Sequence, residues 1–196
     1  MTKLRKYTAA VFAAALAMVF LTGCTSGAVK AYEKGIEKME EGDYKSAADY
    51  FDKVISKADN DSEETLILID ACYLKGECLA LSGDSEGAEK AYDKALEEDN
   101  KERSYDVDRT SSTWLRRGLV YRDRGEYAEA TKAFRQGLKV KGCKADQELR
   151  ANLICSLESE GKYEEALVEL TTYVAKYPED SDMNREYNFL KSRFYN

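Results

Sequence analysis

From residue 41 onward, large apolar residues return every three or four positions, the spacing that puts them on one face of an α-helix, and they do so in four segments that align one under another. The segments are EGDYKSAADYFDKVI (41–55), SGDSEGAEKAYDKAL (82–96), RGEYAEATKAFRQGL (124–138) and EGKYEEALVELTTYV (160–174). Each carries a glycine, an alanine five residues later and a large apolar residue four after that. The columns are Gly42, Gly83, Gly125 and Gly161; Ala47, Ala88, Ala130 and Ala166; and Phe51, Tyr92, Phe134 and Leu170. A further apolar-periodic stretch precedes each glycine, so every unit reads as helix, tight turn, helix. The expected fold is all-α, and a single proline with 34% charged residues points the same way.

In the third unit Trp114, Gly118 and Tyr121 precede the turn at Gly125, and Ala130 and Phe134 follow it. This order resembles the tetratricopeptide repeat (TPR), whose signature runs Trp, Leu-Gly, Tyr, then Ala, Phe and Pro. The resemblance covers residues 29–178 and implies a solenoid of about four helix-turn-helix repeats, which needs a cap over its last exposed core. Residues 179–196 offer one, with Met183, Tyr187, Leu190 and Phe194 on one face of a final helix. Gly35, Gly76 and Gly118 fall mid-helix, where glycine costs about 1 kcal/mol relative to alanine, so a neighbouring helix must approach closely there. The alanine column forms the opposing surface, and the large column fills the gap to the next helix.

The chain departs from the family pattern in three ways. Ile154 stands in the mid-helix glycine column of the fourth unit, and the closing proline occurs only as Pro178. Successive alanines from Ala47 to Ala166 are 41, 42 and 36 residues apart, against a family repeat of about 34. The surplus is placed in inter-unit segments at 59–67 and 100–112, the first lengthening a helix that starts at Asp61 with Glu64 three residues on.

The start of the chain has a different pattern. MTKLRK carries Lys3, Arg5 and Lys6, and residues 9–21 hold no charge. That apolar run is shorter than the roughly 20 residues of a spanning helix, so residues 1–23 read as a signal peptide. Leu21-Thr22-Gly23-Cys24 resembles the bacterial lipoprotein signal motif, with Leu, small residues and an obligatory Cys in every place. The resemblance implies cleavage before Cys24, a lipid on its thiol, and a short tether at 24–28. Two acyl chains make a stable anchor at about 0.8 kcal/mol per buried CH₂. The expected location is the extracytoplasmic face of the cell membrane, or an outer membrane in a two-membrane bacterium, for which Thr25 is permissive.

Charge and chemistry then narrow the function. Removing residues 1–23 leaves 27 Lys and Arg against 37 Asp and Glu, which disfavours nucleic acid and anionic lipid headgroups as partners. The chain has no histidine, which removes His-based catalysis and His metal ligands. Asp59, Asp61 and Glu63 superficially resemble a calcium loop, but Glu64 stands where Gly is needed and Asp70 where a bidentate Glu is needed. A solvated inter-repeat loop is the reading for that stretch, and no metal, cofactor or catalytic residue is expected. Cys72 and Cys78, six apart on one helix, point to different faces and cannot bridge. A Cys143–Cys155 disulfide stays open in an oxidising compartment, with buried free thiols the default.

What is left is a binding surface. The TPR resemblance implies a concave groove lined by the first helices of successive pairs, which places there Tyr32, Ile36 and Met39; Tyr73, Glu77 and Leu81; Leu115, Leu119 and Arg122; and Ala151, Cys155 and Glu158. The expected protein is a lipid-anchored, non-catalytic scaffold for envelope proteins or peptides. The alternative is a lipoprotein that captures a small molecule or cell-wall fragment in the same groove.

Overall fold

The computed structural model describes residues 27–57, 62–102 and 106–194. Nine α-helices make up the described residues: α1 (Gly27–Glu41), α2 (Tyr44–Lys57), α3 (Ser62–Leu81), α4 (Ser85–Glu102), α5 (Val107–Asp123), α6 (Tyr127–Lys139), α7 (Asp146–Ser159), α8 (Tyr163–Lys176) and α9 (Ser181–Phe194). The signal segment, Cys24 and Asp61 fall outside the described residues. Helix α1 opens at Gly27, two residues ahead of the expected start.

Each turn within a pair is made the same way. The N–H of Gly42 donates to the carbonyl of Met39 and the N–H of Asp43 to that of Lys38, at 3.0 and 2.9 Å. Gly83 with Asp84, Gly125 with Glu126 and Gly161 with Lys162 repeat the two bonds on α3, α5 and α7. This reciprocal closure satisfies the last carbonyls of the helix and needs a left-handed residue, which glycine supplies without a Cβ penalty. The four glycines have φ between 74° and 87°. Asp43 and Asp84 then cap the following helices, their carboxylates accepting from the N–H of Ser46 and Gly87.

The mid-helix glycines are explained by rings. A β-carbon at Gly35 would stand 2.7 Å from Phe51, and at Gly76 and Gly118 it would come under 3.0 Å from Tyr92 and Phe134. The large column therefore packs back onto the glycine of its own pair as well as toward the next. Phe51 and Phe134 have no exposed surface and Tyr92 has 1%, burial worth about 1.5–3 kcal/mol for such a side chain, more than the helix penalty of one glycine. In the fourth pair both members change together: Ile154 replaces glycine and Leu170 replaces the ring, each buried.

Pairs stack in chain order, and α9 packs on α8 through Leu190, with Met183 and Tyr187 against the same core. First helices of neighbouring pairs also touch, α1 with α3, α3 with α5 and α5 with α7, whereas second helices make no comparable contact. The array is therefore tighter on the first-helix side and curves toward it.

Among the described residues, most of the surplus is helical. Helices α3, α4 and α5 run to 20, 18 and 17 residues; the acidic stretch is, from Ser62 on, the opening of α3, in line with the lengthened helix expected there and not with a solvated loop. Most of 100–112 is likewise helical, and Asp106 starts α5 by accepting the N–H groups of Asp108 and Arg109 at 3.0 Å. Cys72, Cys78, Cys143 and Cys155 are all free thiols; the first two are buried, and no Cys143–Cys155 bridge forms.

Candidate partner-binding groove

The inner face is built by α1, α3, α5 and α7, whose turns of helix bring residues three and four apart onto one side. Along α3 these are Asp70, Tyr73, Glu77 and Leu81; along α5, Leu115, Leu119 and Arg122; along α7, Ala151, Cys155 and Glu158.

The expected groove residues divide into two groups. Tyr32, Ile36 and Leu115 are buried in the packed core and offer no surface to a partner. Tyr32 serves the fold by donating its hydroxyl to Asp70 at 2.9 Å. Glu77 is also buried: it accepts the Tyr92 hydroxyl at 2.6 Å and pairs with Arg116 at 3.3 Å. Tyr73 is half-buried with its ring 6.1 Å from that of Tyr92. Met39 and Leu119 are half-buried against the apolar cores at either end.

The surface open to a partner runs from Leu81, 48% exposed, across Leu119 and Arg122 to Ala151 and Cys155. Arg122 donates to the neutral side-chain oxygen of Asn152 and lies 3.5 Å from Asp123. At its far end Glu158 of α7 meets Glu186 of α9. Burial, then the neighbouring carboxylate, raises Glu158 to about 7. Although Cys155 is exposed as a residue, desolvation at its sulfur raises the thiol, with Glu158 adding to it and Arg122 opposing it. A thiol held protonated in this way is a weak nucleophile.

Sequence reasoning missed Asp70, Arg116, Asn152 and Glu186. Asp70 had a signal, since 70, 73 and 77 share helical spacing, but reading 59–70 as a loop hid it. Glu186 lies beside the predicted face of α9, and only the packing of α9 shows that it reaches α7.

Among the described residues no group of three or more Cys, Asp or Glu is arranged to hold a metal ion, and no helix is long and apolar enough to cross a membrane.

Two tetratricopeptide repeat models match the chain, one over residues 32–103 and 115–181 and the other over 69–141. No curated protein matches it in sequence. Among solved structures it is similar to MamA (41-end) from Desulfovibrio magneticus RS-1, at 19% identity over 87% of each chain with a TM-score of 0.65. It is similar to the apo form of RapI at 14% identity over 98% of this chain and 73% of that one, with a TM-score of 0.69. YrrB, described as a TPR protein with an unusual peptide-binding site, has 16% identity over 85% of this chain and 77% of its own, with a TM-score of 0.63. At these identities the likeness concerns the fold.

Proposed function

The chain belongs to the tetratricopeptide repeat family, and from that premise we propose that it is a membrane-anchored scaffold that holds an envelope protein or peptide in the inner groove. The observation that carries the reading is the strip from Leu81 through Leu119 and Arg122 to Cys155, which leaves apolar surface and one guanidinium exposed on the face the array curves around. An apolar strip with a single polar anchor suits a protein segment, where a few anchors supply most of the affinity. YrrB, similar in fold, is a peptide-binding protein by its description. TPR proteins as a class bind proteins and are usually non-catalytic, and the protonated Cys155 thiol fits that role.

The anchor is Cys24, in this proposal lipidated after cleavage of residues 1–23. With α1 opening at Gly27, only Thr25 and Ser26 separate the lipidated residue from the first helix. The three steps from Cys24 to Gly27 reach at most about 11 Å, so the array sits against its membrane and meets partners that are themselves membrane-bound or wall-proximal.

The test is capture from solubilised membranes by the processed chain. Leu81→Ala with Arg122→Ala is expected to lower capture by tenfold or more, taking about 1.4 kcal/mol as a tenfold change, while the melting temperature changes little. Lys132→Ala with Gln136→Ala, exposed on α6, is the outer-face control. Unchanged capture by the groove variant, or loss with the outer pair, rejects the groove as the site.

A further inference from the structure

The apolar core does not run the length of the array. One cluster joins α1, α2 and α3 through residues such as Phe51, Val54, Leu74 and Cys78. A second joins α5 through α9, from Leu115 and Phe134 to Leu170 and Leu190. Between them, among the described residues, Ala88 and Tyr92 of α4 meet Val120 of α5 in a small cluster of their own, with Tyr73 and Leu79 of α3 against it.

Among the described residues, polar pairs cross the rest of that seam. Arg109 of α5 lies 3.6 Å from Asp70 and 3.5 Å from Asp99, and Thr110 donates to Asp99. Arg116 reaches Glu77 at 3.3 Å, and Arg117 pairs with Asp93. Beyond the end of α5, Arg124 meets Glu89 at 2.7 Å, and Glu89 also accepts the Tyr121 hydroxyl. The fit is incomplete. Asp99 Oδ1 and Arg109 Nη2 face each other as a long ion pair without a hydrogen bond, and Arg109 Nε and Arg124 Nε are buried without one. The junctions on either side are unlike this: Phe51 packs with α3, and Phe134 shares a core with Leu149 and Leu153 of α7.

Sliding an apolar interface exposes its area to water, whereas the partly exposed Arg117–Asp93 and Arg124–Glu89 pairs re-form with water or a neighbouring partner at little cost. Unmet buried donors and acceptors make one fixed angle less favourable still. From the polar seam between α4 and α5 we infer that the array is two rigid blocks, α1–α4 and α5–α9, joined by a hinge that sets the curvature of the inner groove. This deepens the scaffold reading, because Leu81 lies in the first block and Leu119, Arg122 and Cys155 in the second: a bound segment fixes the angle between them.

The inference is tested without any partner, so its failure is distinct from failure of the groove. In the processed chain with Cys24, Cys143 and Cys155 replaced by Ser, spin labels are attached through cysteines at exposed positions. One pair crosses the seam (Asp49→Cys with Gln136→Cys), one stays in the first block (Asp49→Cys with Lys94→Cys) and one in the second (Gln136→Cys with Thr172→Cys). Electron–electron distance measurements are expected to give a broader distribution across the seam than within either block. It should broaden further between about 0.05 and about 1 M salt, where screening length falls to roughly 3 Å. A cross-seam distribution no broader than the other two overturns the hinge, whatever salt does to it.

Discussion

The ring of Phe134 occupies the space that a side chain at Gly118 would need: three of its atoms would lie under 3.0 Å from a β-carbon placed there. Gly118→Ala gains about 1 kcal/mol of helix propensity but overpacks the contact at a cost of about 1–3 kcal/mol. The melting temperature is expected to fall, while the double variant with Phe134→Leu recovers part of the loss, because unit four accommodates the larger first residue by giving up its ring. A thermal double-mutant cycle should show coupling of about 0.5–3 kcal/mol. Strict additivity would mean that the ring and the glycine do not share one site.

Docking of α9 is expected to weaken as pH rises. Glu158 titrates near 7 in the folded chain, against 4.5 for an ordinary glutamate, because burial and Glu186 disfavour its charge. A carboxyl raised on folding binds more protons folded than unfolded, so its contribution is full below about 4.5 and is lost as pH climbs through 7. Hydrogen exchange at α9, corrected for intrinsic rates, should show less protection at pH 8 than at pH 5. Glu186→Gln should flatten the difference; persistence of the full pH dependence in that variant would assign it elsewhere.

Thiol labelling should sort the three helical cysteines, Cys72, Cys78 and Cys155, by burial and charge. Burial pushes Cys72 and Cys78 up to about 12, so both stay unlabelled until the chain unfolds. Cys155 is exposed but raised, and it should react more slowly than a free cysteine at the same pH. Mass mapping after timed alkylation checks this. Rapid modification of Cys72 in the native chain would contradict the packing of α3.

Replacing Cys24 by Ala should abolish membrane retention and remove any acyl mass from the N-terminus. The measurement is intact mass of the protein purified from membranes. An unmodified Cys24 in the wild type would end the lipoprotein proposal and leave the repeat array unaffected.

The four helix pairs were legible because their turn glycines, buried alanines and large residues recur at fixed offsets, and each offset reflects one packing requirement. The lengthening of α3 was legible in Asp61 with Glu64 three residues on, but the lengths of α4 and α5 were not. Polar residues such as Asp70, Asp99 and Arg109 look like solvated helix surface or loop until their partners on other helices are known: Arg109 pairs with Asp70, 39 residues before it, and with Asp99, 10 before it. The same blindness affected the groove. The TPR resemblance put Tyr32, Ile36 and Leu115 in the groove, but neither it nor helical spacing can tell a residue that lines a surface from one that the next helix covers.

The joint change at Ile154 and Leu170 limits how repeats of this kind can be exchanged. A crossover inside a pair that joined α7 to α6 would drive Phe134 into the branched side chain of Ile154. The reverse joint, α5 to α8, would leave Leu170 short of the surface at Gly118, with a void where the ring had been. Only a break between pairs keeps each lock with its key, so the indivisible module of recombination or grafting here is the whole helix pair rather than the single helix.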